Sequence, residues 1–267
     1  MKIAIIGVGN LGYSIALGIV GQSDIDVESL YLSKRNTSTL SLFEHIPNVT
    51  ITSDNLEAVK NSNVIILAVQ PGQFDNVVES IKPVLDPKQH CIVSAVTGRN
   101  IEHIENLIGK EYPIIRSMPN TAISVSQSMT CLSANKLGQE NINCGKQIFN
   151  SLGKTLYIEE DLMQAATVIC ASGIAFWMRL IRATSQGAVQ LGFDAAEAQE
   201  LAMQTALGAA SLLVKSETSH PEQEIDKVTT PMGCTISGLN EMEHQGMSSA
   251  LIRGLVKSYE KINEIKN

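Results

Sequence analysis

Near the N-terminus the run KIAII stops directly at GVGNLG, and a helical pattern, SIALGIV, follows it. Gly7, Gly9 and Gly12 therefore stand in the spacing G-x-G-x-x-G between a strand and a helix. Few features restrict a fold so narrowly. The first glycine permits a tight turn, the second lets a pyrophosphate approach the backbone where the helix begins, and the third brings helix close to strand. Glycines also serve ordinary turns, but strand, helix and position together mark a dinucleotide-binding unit. Asn10 and Leu11, inside the motif, join the glycines as candidates for cofactor contact.

Up to residue 158, short runs rich in Ile and Val (KIAIIG, VESLYL, VIILAV, CIVSAV, PIIRSM, TLYI) alternate with helical stretches, the pattern of βαβ units and a parallel sheet. From Asp161 onward the β-runs vanish and segments dense in Ala, Leu, Met, Gln and Glu take over. The expected fold is α/β: an N-terminal Rossmann-type parallel sheet domain, residues 1–158, followed by an all-α C-terminal dimerisation domain, residues 159–267. Asp161 is placed to cap a long helix that ends at Gly192, and Asp194 to cap the next. SETSHPEQE reads as a connection, with Pro221 in the first turn of a short helix. The C-terminal helices are apolar nearly all round (ASGIAFWM, LAMQTALGAASLLV), so they are expected to be covered on several sides. A second copy would cover them; a compact monomeric helical domain is the alternative.

Composition narrows the function classes. A net charge of −7 with no Lys- or Arg-dense stretch makes nucleic acid a poor partner. Mean hydropathy is +0.07, no apolar run is expected to be long enough to span a bilayer, and no membrane partner is expected. The N-terminus lacks the marks of a secretory signal and is poor in the Arg and Ser of transit peptides, so a cytoplasmic protein is expected. The five cysteines lack CxxC pairing and read as reduced core filler, and the five histidines show no ligand spacing, so no metal is expected.

Some 20 residues past the glycines, the second strand should end in Asp or Glu if it binds the ribose 2′-hydroxyl of NAD. Here it ends in Ser33, followed by Lys34, Arg35 and Asn36. A cation able to fork onto a phosphate, and no carboxylate, favour NADPH, with NADH as second choice; a solvated basic turn is the plain alternative. The strand exit at Ala68, Val69, Gln70 and Pro71 is a candidate to line the cofactor, as is SAVTG at 94–98, although either could be an ordinary strand-to-loop exit.

VTTPMGCT at 228–235 places Pro and Gly among small hydroxylated residues in an otherwise helical half. With IIRSMPNTA, and with VTTPMGCTISGLNEMEHQG taken whole, it resembles the pyrroline-5-carboxylate reductase family, whose members carry R-x-MPNT and later a segment close to SPGGTTIAGL. The likeness runs in order along essentially the whole chain: the glycines, LAVQP, RSMPNTA, ASGIAF, AMQTALGAASLL and the final loop.

The resemblance implies reduction of a cyclic imine, 1-pyrroline-5-carboxylate, to L-proline with NAD(P)H, the last step of proline biosynthesis. It implies a helical domain that interlocks with a partner subunit into a homodimer, in some members a decamer. It assigns Thr230, Met232, Gly233, Cys234 and Thr235 to the substrate, backbone N–H groups holding its carboxylate and Thr235, the catalytic candidate, hydrogen-bonding and orienting the ring nitrogen. Asn120 and Thr121 would sit near the nicotinamide; a loop that only shapes the domain junction is the alternative. Gln70, Ile174, Phe176, Met232 and Cys234 depart from the family pattern, Met232 most consequentially because Gly is common there. A reductase of another small imino or keto acid, or a non-catalytic nucleotide-binding paralogue, would account for those departures.

Overall fold

The computed structural model describes residues 1–21, 25–216 and 220–264. Among them eight strands form one sheet: β1 (Lys2–Ile6), β2 (Ser29–Ser33), β3 (Val49–Thr52), β4 (Val64–Leu67), β5 (Cys91–Ser94), β6 (Ile114–Met118), β7 (Ser128–Ala134) and β8 (Gly153–Tyr157). Their order is β3-β2-β1-β4-β5-β6-β7-β8. The helices around the sheet are α1 (Asn10–Val20), α2 (Asn55–Lys60), α3 (Phe74–Ile81), α4 (Ile101–Ile108), α5 (Lys136–Glu140) and α6 (Ile142–Asn150). Then follow α7 (Met163–Ala166), a π-helical turn (Thr167–Ser172), α8 (Gly173–Gln190), α9 (Ala195–Lys215), α10 (Pro221–Lys227), α11 (Cys234–His244) and α12 (Met247–Glu264).

Strand side chains alternate between faces, and both faces are covered. Ile3 and Ile5 join a core with Ile15 and Ile19 of α1 and Phe149 of α6. Ala4 and Ile6 point the other way, into a core with Phe74 and Val78 of α3 and Ile104 of α4. Burying each Ile or Phe stabilises the fold by roughly 1.5–3 kcal/mol, which explains why the central strands read as unbroken apolar runs.

Two strands lie where no strand was expected. β3 is the short VTIT in polar surroundings, and β7 (SMTCLSA) carries hydroxyl and thiol side chains in place of the Ile and Val that mark β4 and β5. β7 also breaks the expected all-parallel arrangement, because it runs antiparallel to β6. The link between them, residues 119–127, is shorter than the dozen or so residues a parallel crossover needs, so the chain can only turn back.

Contacts divide the described residues into two compact units, Met1–Ser172 with residues 261–264, and Gly173–Glu260. Residues 159–172 thus group with the sheet rather than with the helices that follow. Met163 and Ala166 pack with Met118 and Cys131. Arg116, almost fully buried on β6, donates from Nη1 to Glu160 Oε1 at 2.9 Å, and the same oxygen accepts from the Ile101 N–H at 2.7 Å. One carboxylate therefore joins β6, the start of α4 and the turn before α7.

Asp161 is not a helix cap. It lies inside a 3₁₀ turn, Glu160–Leu162, whose preceding residue Glu159 offers no side-chain bond, and the long helix ends at Gln190, just before Gly192 (φ 110°). Asp194 caps α9 as expected, its Oδ1 accepting from the N–H groups of Ala196 and Glu197. Pro221 opens α10 behind His220. Within the connection SETSHPEQE, residues 217–219 lie outside the described residues.

In the second unit α8 and α9 pack together, and what they bury is small: Gly173 and Ser185 on α8, Ala198 and Ala202 on α9. The bulky side chains face outward. Trp177 is 65% exposed, Leu207 60% and Leu212 61%. The expectation that no run is long enough to span a bilayer does not hold: Glu160–Gln190 is long and apolar enough by length and composition to cross a membrane, and only 28% of its most apolar window is buried within the chain. The residues these two helices bury are small, and the apolar surplus is left on the outside.

Replacing Arg116 with Ala leaves the Glu160 carboxylate without its cation. Chemical denaturation is expected to show a loss of about 3 kcal/mol. An unchanged midpoint would remove this pair from the fold's supports.

Candidate functional site

The strand order reverses direction between β1 and β4, so the crevice at their carboxyl ends is where an open α/β sheet takes a ligand. The glycine motif lies there. Gly7 has φ 94°, and a Cβ on it would lie 2.4 Å from Val69 Cγ1 and 3.0 Å from the Ala68 carbonyl. A Cβ on Gly12 would lie 2.5 Å from the Gly7 oxygen, so α1 starts as close to the strand turn as a backbone can. At Gly9 a Cβ would meet nothing within 4 Å, and Gly9, the N-cap of α1, makes no side-chain cap. Two glycines are filled by the protein and the middle one is open to solvent, at a helix start whose N–H groups have no capping side chain. That cradle fits a pyrophosphate. Asn10 is exposed in the first turn, while Leu11 packs partly on the core.

The turn after β2 does not present all four expected residues alike. Ser33 is buried, its Oγ donating to Asn55 Oδ1 at 2.6 Å and its carbonyl accepting from the N–H groups of Gly7 and Val8. Asn36 caps the 3₁₀ turn Thr37–Phe43 by accepting from Ser38 N, and Lys34 Nζ donates to Thr39 Oγ1 at 2.7 Å. Arg35 is exposed with no hydrogen bond or ion pair among the described residues. Asn55, at the start of α2, is a residue sequence reasoning passed over; only its approach to Ser33 across 22 positions reveals it.

After β4, Ala68 and Val69 back the glycine turn, and Gln70 and Pro71 are exposed. The Pro71 carbonyl accepts from Arg99 Nη2 at 3.3 Å. Arg99 Nε also lies 3.1 Å from Asp75 Oδ1, and His103 Nε2 lies 2.8 Å from the same oxygen. The His103 hydrogen bond, with help from Arg99, holds the Asp75 carboxyl below the usual carboxylate range against the opposing effect of burial. Arg99 follows directly on the flagged exit 94–98, yet its partner is 24 residues away. Sequence spacing could not announce it.

Asn120 is 7% exposed and its polar atoms are already engaged. Its Oδ1 accepts from the Ala122 N–H at 2.9 Å, and its Nδ2 donates to the Cys170 carbonyl at 3.0 Å, inside the π-helical turn. Both bonds lie within the first unit, and the side chain ties the turn after β6 to the π-helical turn. Thr121 is exposed beside it.

In the second unit Thr230 to Gly233 form a β-turn closed by Gly233 N–H to the Thr230 carbonyl at 3.0 Å. Pro231 takes its second position and Met232, with φ 60°, its third, the pattern of a type II turn in which Gly is usual. Met232 is fully exposed, so the left-handed backbone is kept without packing in return. Gly233 is the N-cap of α11 without a side-chain cap, and a Cβ there would lie 2.4 Å from Thr230 Oγ1. Cys234 is exposed at the first helical position; Thr235, next, is half-buried and its hydroxyl makes no hydrogen bond among the described residues.

A Rossmann-type sheet with a glycine cradle, followed by helices with a second uncapped N-terminus, defines a nicotinamide dinucleotide-dependent oxidoreductase. Residues 2–98 match the family model described as NADP oxidoreductase, coenzyme F420-dependent, and residues 160–265 the one described as pyrroline-5-carboxylate reductase dimerisation. Pyrroline-5-carboxylate reductase 2 of Dictyostelium discoideum is 42% identical over 97% of this chain and 91% of its own length. Pyrroline-5-carboxylate reductase 1 of the same organism is 44% identical over 97% of this chain; the chain spans about half of that relative, 49%. The Synechocystis sp. pyrroline-5-carboxylate reductase is 32% identical over 99% of this chain and 98% of its own. Among solved structures, a pyrroline-5-carboxylate reductase from Coxiella burnetii superposes with a TM-score of 0.89 at 28% identity, over 100% of this chain and 98% of that one. The Plasmodium falciparum pyrroline carboxylate reductase with NADP bound does so at 0.88 and 25%, with the same coverage. The chain belongs to the pyrroline-5-carboxylate reductase family.

A left-handed conformation costs a residue with a side chain about 1–2 kcal/mol, part of which glycine's larger unfolded-state entropy would offset. Met232→Gly is therefore expected to raise thermal stability by about 0.5–1 kcal/mol, and Met232→Ala to leave it near the parent value. Calorimetry in which glycine and alanine behave alike would count against the strained turn.

Proposed function

We propose that this chain reduces the C=N bond of 1-pyrroline-5-carboxylate to give L-proline, the last step of proline biosynthesis, using NAD(P)H. The observation that carries this reading is the end-to-end match to relatives of that name, at 42% identity over 91% of one of them. The dinucleotide supplies the hydride. Gly7, Gly9 and the first turn of α1 hold its pyrophosphate, and Arg35 binds a 2′-phosphate, so NADPH is preferred over NADH.

The N–H groups at the start of α11, with the Thr230 hydroxyl, hold the substrate carboxylate. The Thr235 hydroxyl hydrogen-bonds the ring nitrogen and orients the ring. A threonine is too weak an acid to protonate that nitrogen by itself, so the proton comes from solvent and Thr235 fixes geometry. Most of the acceleration then comes from holding two reactants face to face. Two copies pair through the outward apolar faces of α8 and α9 as a homodimer, itself a building block for a decamer, in the cytoplasm and without a nucleic-acid or membrane partner.

Absorbance decay of NADPH with freshly prepared pyrroline-5-carboxylate tests the reaction, and no oxidation by folded protein that binds NADPH would overturn it. Thr235→Ala is expected to lower kcat by one to two orders of magnitude, on the order of what a small misplacement costs, with NADPH affinity unchanged. Full turnover would remove Thr235 from the mechanism. Arg35→Ala is expected to raise KM for NADPH about tenfold, the loss of one charge-assisted hydrogen bond, and to spare NADH. Equal effects on both would count against a 2′-phosphate contact.

A further inference from the structure

Cys131 and Cys170 read in the sequence as unrelated core filler, but the fold brings their Sγ atoms to 4.0 Å. Cys131 lies on β7 opposite Met118 of β6 and is buried; Cys170 lies in the π-helical turn and is partly exposed. Both are tied to the same corner of the sheet. Asn120, two residues beyond Met118, donates to the Cys170 carbonyl at 3.0 Å and so fixes the main chain of the turn against the strand. The sulfurs lie about 2 Å beyond bonded separation.

The two thiols differ in kind. Hydrogen bonding from Cys131 holds the Cys170 thiol down to about 7 despite burial, while the same bond and burial push the Cys131 thiol up. A partly exposed thiol beside a buried one is the arrangement of a reacting and a resolving cysteine.

We propose that Cys131 and Cys170 form an oxidisable dithiol site that takes a hydroperoxide, Cys170 reacting first and Cys131 closing an intramolecular disulfide. The Cys170 thiolate attacks the peroxide oxygen; the O–O bond breaks, and the departing hydroxide takes up the proton Cys170 had released. The Cys131 sulfur then attacks the resulting Cys170 sulfenic acid. The S–S bond forms as the S–O bond breaks, and the leaving hydroxide carries off the Cys131 proton. Two thiols lose two electrons, and one hydrogen peroxide becomes two waters.

Tryptic mapping tests this directly, because cleavage places Cys131 in peptide 117–136, Cys170 in 155–179, Cys91 in 89–99 and Cys144 in 137–146. Native protein is treated with hydrogen peroxide and capped with N-ethylmaleimide. The expected product is 117–136 linked to 155–179, less two hydrogen atoms, from a chain that runs as a monomer on a non-reducing denaturing gel. Recovery of the Cys170 peptide only unlinked, or joined to another cysteine or a second chain, would overturn the site. In Cys131→Ala, dimedone is expected to trap the sulfenic acid on Cys170. The pH midpoint of Cys170 alkylation is also expected to move from about 7 up towards about 8.5, the value of a free cysteine. An unmoved midpoint would show that Cys131 does not activate it. The mapping of unsubstituted protein decides the proposal even if the variant fails to fold.

Discussion

A methyl group on residue 7 would lie 2.4 Å from Val69 Cγ1, and one on residue 12 would lie 2.5 Å from the Gly7 oxygen. The carboxyl edge of the first unit depends on neither methyl being there. Their absence lets the β1 turn seat against the end of β4 and lets α1 begin directly over that turn. The N–H groups of the first helical turn are then brought to the crevice where the sheet reverses direction. Ser33 completes the arrangement from below, its carbonyl accepting from Gly7 and Val8 while its hydroxyl is held by Asn55.

The buried polar residues of β6 and the turn after it do architectural work. Arg116 and Glu160 fix three elements through one carboxylate oxygen, and Asn120 satisfies a carbonyl in the π-helical turn while capping the turn that follows it. A π-helical turn displaces carbonyls from their ordinary helical partners, and a side-chain amide that reaches one lowers the cost of the distortion. The string RSMPN thus holds two of the buried polar side chains, Arg116 and Asn120, that tie β6 to the elements packed on it.

The second unit follows a different logic. α8 and α9 pack together and bury only glycine, serine and alanine, while Trp177, Leu207 and Leu212 remain outside. A soluble domain of this size does not ordinarily leave so much apolar surface uncovered. These helices lie within residues 160–265, the segment that matches the family model described as pyrroline-5-carboxylate reductase dimerisation.

The sequence by itself determined the glycine cradle, the change from alternating strands to helices, the Asp194 cap and the final turn-to-helix loop, because each rests on local backbone geometry or on periodicity within a few residues. It could not place β7, whose direction is set by the length of a link rather than by its own residues. It showed Met232 as a departure from pattern, but only the folded turn decided that φ is 60° there. The pairings of Arg99 with Asp75, Arg116 with Glu160, Ser33 with Asn55 and Cys131 with Cys170 join residues 22 to 44 positions apart. Such contacts are decided by how the sheet orders its strands, and no local spacing encodes that order.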